Sequence, residues 1–75
     1  MDKANIMLFI GLALCKKKII TVGEIQRFIK SREEVGKILP PERINEVLED
    51  LEYVGFVHHE DFNEMRFWSR NVCQS

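Results

Sequence analysis

Apolar residues run without a break from Ile6 to Cys15, and after that stretch they fall into short periodic groups. A run of this length is about half of the roughly 20 residues that a bilayer-spanning helix needs. It predicts a core helix over about residues 3–17, closed by Lys16, Lys17 and Lys18, whose positive charge suits a helix C-terminus. The β-branched triplet Ile19-Ile20-Thr21 favours an extended conformation, and Thr21-x-x-Glu24 matches a capping box. A second helix is therefore expected over about 21–35. Val22, Ile25, Phe28 and Ile29 recur on its inner side, with Glu24, Gln26, Arg27, Lys30 and Arg32 toward solvent. Gly36 ends it or closes the following loop. Pro40-Pro41 opens a third helix over about 41–54, with Ile44, Val47, Leu48, Leu51 and Val54 on one stripe and Gly55 as its stop. Residues 55–70 read as a hairpin with strands Phe56–His59 and Met65–Ser69, and turn formers at Asp61-Phe62-Asn63-Glu64. Residues 71–75 form a loose tail.

The first helix is apolar all round, which one core does not require. At 100° per residue Ile6, Phe9, Ile10 and Ala13 lie on one side, and Ala4, Leu8, Gly11 and Cys15 lie opposite, with Leu12 beside them. The second side needs a cover. A second copy of the chain is the expected one, making Ala4, Leu8, Gly11, Leu12 and Cys15 a homodimer interface. The alternative is that the tail around Val72 and the hairpin aromatics cover it within one chain.

With 75 residues, 45% hydrophobic and 31% charged, the chain is one small globular domain, 1–75, and neither a disordered segment nor a disulfide-dense scaffold. Two cysteines, Cys15 and Cys73, lack the paired spacing of a zinc module and favour an intracellular, cytoplasmic setting with reduced thiols. The flanks of the apolar run do not suit a secretory leader, and Leu14 before Cys15 does not suit a lipoprotein box. His58-His59-Glu60-Asp61 contains metal-ligand types, but neighbouring side chains of a strand point to opposite faces, so no metal is expected. Nor is there a nucleophile-base set or a phosphate loop, so no cofactor and no enzymatic activity are expected. Richness in Ile, Lys and Glu suits a thermophilic microbe or one of its viruses.

Helix, short strand, helix, helix and hairpin follow one another in the order of a winged helix-turn-helix domain. The residues Thr21-Val-Gly-Glu24-Ile25, then Ile44-x-x-x-Leu48-x-x-Leu51-x-x-x-Gly55-Phe56-Val57, resemble that superfamily over nearly the whole chain. The resemblance implies an α+β, mainly helical fold of three helices and a two- or three-stranded β wing, with Phe56 and Val57 dropping into the core after the glycine exit. Eighteen residues separate Ile25 from Ile44, more than MarR-like regulators allow, and the connector ending in Pro-Pro is similar to the PadR-like branch. Both groups carry an additional dimerising helix, which the residues after the wing are not expected to form.

The resemblance also implies a sequence-specific double-stranded DNA-binding protein, a small regulator acting as a dimer. Its third helix would enter the major groove while the wing touches phosphates. Charge qualifies this expectation. Residues 1–37 hold eight Lys/Arg against four acids, a balance of +4, and the rest hold three Arg against eight acids, a balance of −5. The outer side of the third helix, Glu42, Arg43, Asn45, Glu46, Glu49, Asp50 and Glu52, has one basic and five acidic residues. Arg43 and Asn45 suit base edges, with Glu46 beside them and Thr21 at the start of the second helix. Lys18, Arg27, Lys30, Arg66 and Arg70 are phosphate candidates, and Trp68 shares a strand face with the last two. An acidic third helix also suits the alternative, a winged-helix module that binds a protein partner in a larger complex.

Overall fold

In the computed structural model, which describes residues 2–32 and 39–71, the first helix begins where the Asp2 carboxylate accepts the Asn5 N–H at 3.0 Å. That satisfies one of the amide donors that a helix start leaves open. The helix, α1 (Lys3–Lys16), ends as Lys17 turns extended. After the two-residue strand β1 (Ile19–Ile20) come α2 (Val22–Arg32) and α3 (Pro41–Tyr53), then β2 (Val57–Phe62) and β3 (Met65–Arg70). The result is a small α+β domain of three helices and a three-stranded antiparallel sheet in the order β1-β3-β2. The expected segment 33–35 of the second helix lies outside the described residues, as do Gly36, Val72 and Cys73.

The core is built from one stripe of each helix and the inner face of the sheet. Ile6, Ile10, Ala13 and Leu14 of α1 meet Ile25 and Ile29 of α2 and Ile44, Val47, Leu48 and Leu51 of α3. Ile20, Val57 and Trp68 close this core from the sheet. Phe9 and Phe28 extend it outward, edge to face, with ring centroids 6.4 Å apart.

Three expectations are corrected. Val54 leaves the α3 stripe: it is the C-cap residue and 61% exposed, because the helix ends one residue before it. Phe56, expected in the core after Gly55, is 62% exposed, while Val57 is buried. Gly55, at φ +90°, sends the chain into β2 with only one of the pair facing inward. The hairpin turn is shorter than expected. Asp61 and Phe62 belong to β2, and Phe62 pairs with Met65, so Asn63-Glu64 alone make the connection.

Both turn residues have positive φ, 52° for Asn63 and 65° for Glu64, the pattern of a type I′ turn that matches the twist of a hairpin. Asn tolerates this region; Glu adopts it at a cost. Glu64→Gly is expected to raise stability by about 0.5–1 kcal/mol, read as a higher urea midpoint at unchanged slope. A lower midpoint would show that Glu64 contributes more through its side chain than the backbone strain takes away.

Candidate nucleic-acid interface

The first turn of α3 and the tip of the hairpin come together in space. Asn45 lines an open groove of about 420 Å³ with Asp61, Glu64 and Arg66. Arg66 and Asp61 face each other across the β2–β3 ladder, and Arg66 Nε donates to Asp61 Oδ1 at 3.0 Å. That bond, with the field of Asp61, holds the guanidinium pKa above its ordinary value, helped by Glu49 and Glu52 on α3. Asn45 Nδ2 donates to Glu49 Oε1 at 3.1 Å, one helical turn on. Arg43 and Glu46 are exposed on the same side of α3.

Much of the acidic charge on α3 is engaged within the chain. Lys3 Nζ donates to Asp50 Oδ2 at 2.6 Å. Glu52 Oε2 accepts both the His59 backbone N–H at 3.1 Å and a contact from His59 Nδ1 at 2.6 Å. Glu42 and Glu46 stay exposed toward the first turn.

The basic candidates divide between two sides of the domain. Lys18, Arg27 and Lys30 are exposed at the end of α1 and along α2, and none of them forms an ion pair with a described residue. Arg32 lies over the Phe28 ring at 4.9 Å, with Lys16 at 5.7 Å. Arg70, although on the same strand face as Arg66, reaches toward α1, where Nη1 is 3.7 Å from Cys15 Sγ. Of the two hairpin arginines, only Arg66 lines the groove with Asn45.

Trp68 is corrected as a contact residue. It is fully buried, between Ile20 of β1 and His59 of β2, and its ring lies 4.9 Å from that of His59. The strand face carrying Arg66, Trp68 and Arg70 is the one turned toward the core, so the two arginines flank a core residue. The outward face instead carries Ile19, Phe62 and Phe67 around a shallow depression with His58, Glu60 and Ser69, and Met65 paired with Phe62. Alternation alone did not tell the two faces apart. His58 points outward to Asn71 Oδ1 and His59 inward to Glu52, so the pair is split. Among the described residues no group of three or more His, Cys, Asp or Glu is placed to hold a metal ion.

Thr21 is committed to the start of α2. The Glu24 N–H donates to Thr21 Oγ1 at 3.2 Å, and Thr21 N–H and hydroxyl both lie 3.3 Å from Glu24 Oε1. Lys17 Nζ donates to the other Glu24 oxygen at 2.5 Å and ties this cap to the end of α1. The proposed self-association residues Ala4, Leu8, Gly11, Leu12 and Cys15 are all exposed along one side of α1, Leu8 at 60% and Leu12 at 43%. No helix among the described residues is long and apolar enough to cross a membrane. No family model matches the chain, and no curated protein or solved structure does either.

The capping geometry has a measurable consequence. The Lys17 hydrogen bond, with those from Thr21, lowers the Glu24 pKa from 4.5 despite the opposing effect of burial. A lowered folded pKa stabilises the fold above the unfolded value, and that contribution is lost as pH falls through the lowered one. Glu24→Gln is expected to remove this part of the acid sensitivity in urea unfolding followed from pH 7 to pH 3. Thr21→Ala is expected to cost about 1 kcal/mol at neutral pH.

Proposed function

We propose that the chain is a winged helix-turn-helix protein that binds double-stranded DNA sequence-specifically, as a small transcriptional regulator acting as a homodimer. The observation that carries this reading is the shared groove of Asn45 and Arg66, which joins the exposed first turn of α3 to the hairpin tip. In this reading α3 enters the major groove with Arg43 and Asn45 at base edges, since an Asn amide suits adenine and a guanidinium suits guanine. The hairpin follows the backbone through Arg66, and Lys18, Arg27 and Lys30 meet phosphates on the flank of α2. Glu46, in the same turn, favours a cytosine amino group or rejects phosphate. Engagement of Asp50 by Lys3 lowers the repulsion that the acidic side of α3 would otherwise present.

A second reading, a module that binds a protein partner, is favoured by one specific observation. Tyr53, Val54 and Phe56 are exposed together where α3 ends, next to its acidic side. A duplex has no use for such an apolar cluster.

Fluorescence anisotropy with a labelled random-sequence duplex at about 50 mM salt separates the two, because phosphate contacts are strongest there. Binding that weakens with added salt is the expected result. Arg66→Ala is expected to reduce the slope of log affinity against log salt by about 0.9, the loss of one phosphate contact. Asp61→Asn should have the opposite effect on affinity, since it releases Arg66 and removes a negative charge from the groove. Arg43→Ala should narrow the gap between a selected site and random duplex. A chain that binds no duplex at this salt concentration is not a DNA-binding protein, and the protein-partner reading then stands.

A further inference from the structure

We propose that two copies of the chain pair through α1 in an antiparallel arrangement about a two-fold axis between Phe9 and Ile10. The proposal rests on the reading of α1 as a self-association surface, and is independent of DNA binding.

Exposed residues Ala4, Leu8, Gly11 and Cys15 are spaced four, three and four apart, the seam of a two-helix coiled coil. Leu8 is its one bulky side chain, among the small Ala4, Gly11 and Cys15. Antiparallel pairing about that axis sets Leu8 against Gly11 of the second copy and Ala4 against Cys15. Leu8 then meets the open space over Gly11. Gly11 is otherwise unexplained: it stands inside a helix, where Gly is unfavourable, and a Cβ there would meet nothing within 4 Å. Packing within the chain therefore gives no reason for a missing side chain at this position, whereas close approach of a second helix does.

Charge selects the antiparallel direction. The N-terminal end of the seam carries the Lys3–Asp50 pair, whose charges balance. Its C-terminal end carries Lys16, Lys18 and Arg70, and Arg70 forms no ion pair with a described residue. Antiparallel pairing keeps the basic ends of the two copies apart, and the helix dipoles oppose favourably. Parallel pairing would set basic against basic. The exposed apolar residues continue past Met7 to Phe56 along a groove of about 580 Å³ between α1 and the start of β2, so the surface is wider than one helix ridge.

The test is a cross-link. In a Cys73→Ser background, Ala4→Cys is oxidised mildly with an added disulfide-forming oxidant, and the covalent dimer is mapped by mass spectrometry. Antiparallel pairing predicts a bond between the introduced thiol at position 4 and Cys15 of the partner subunit, two hydrogens being lost per bond. Links joining Cys15 to Cys15, or position 4 to position 4, overturn the antiparallel arrangement while keeping the dimer. A wild-type chain that sediments as a monomer at micromolar concentration overturns the pairing and the dimeric part of the proposed function, with DNA binding read separately. Gly11→Leu serves as the second variant, because open space around Gly11 leaves the fold itself undisturbed. It should weaken dimerisation about tenfold or more with helical content retained. A dimer unaffected by this change places the interface elsewhere.

Discussion

Burial of Trp68 is the contact on which the rest of this domain depends. It is the largest fully buried side chain, and it sits on the central strand of the sheet, paired with Ile20 on one side and His59 on the other. In a chain of 75 residues one such ring is a large share of the available apolar burial. Its position joins a two-residue strand, too short to persist alone, to the hairpin, and both to the helices. The cost is local: Trp68 Nε1 is buried with no hydrogen-bond partner among the described residues, and a buried donor left so costs about 1–3 kcal/mol. The His59 ring beside it is the nearest aromatic neighbour and is itself held by Glu52. A carboxylate at the end of α3 thus positions the imidazole that covers the indole.

The helices were legible because their signals are local. Thr21 and Glu24 carry the cap, Pro40-Pro41 the start of α3, and the apolar stripes the buried sides, all within a few residues of one another. The orientation of the hairpin was not. Along β3 the face with Met65 and Phe67 looks more apolar than the face with Arg66, Trp68 and Arg70, yet the second face turns inward. What decides it is pairing across the sheet: Trp68 is level with Ile20 and next to Val57, and these three together outweigh two arginines whose charged ends reach the edges of the domain. Phe56 and Val54 were misplaced for a related reason. Where a helix turns into a strand at Gly55, the period changes, and an apolar residue at the junction belongs to neither pattern.

Of the candidate site, the exposure of Arg43 and Glu46 followed from the helical period, while the approach of Arg66 to Asn45 depended on the reach of the hairpin. That reach comes from the two-residue turn at Asn63-Glu64, which carries β2 to Phe62 and sets Asp61 opposite Arg66. A four-residue turn would have left Arg66 unpaired with its carboxylate. The domain carries some of its charges in small balanced pairs: Lys17 with Glu24, Lys3 with Asp50, Arg66 with Asp61. Exposed pairs of this kind add little to stability, each about 0–1 kcal/mol, but they set which charges a partner meets first.

The bond from the His59 backbone N–H to Glu52 lies on the outer edge of β2, the last strand of the sheet. An unoccupied strand edge is a template on which another chain can align and extend the sheet into an aggregate. Here the middle of that edge is already occupied by a carboxylate, which brings negative charge to where an incoming strand would need a carbonyl. The outer edge of the sheet is thereby guarded against open-ended growth, a protection that comes from a helix side chain and not from the strand itself.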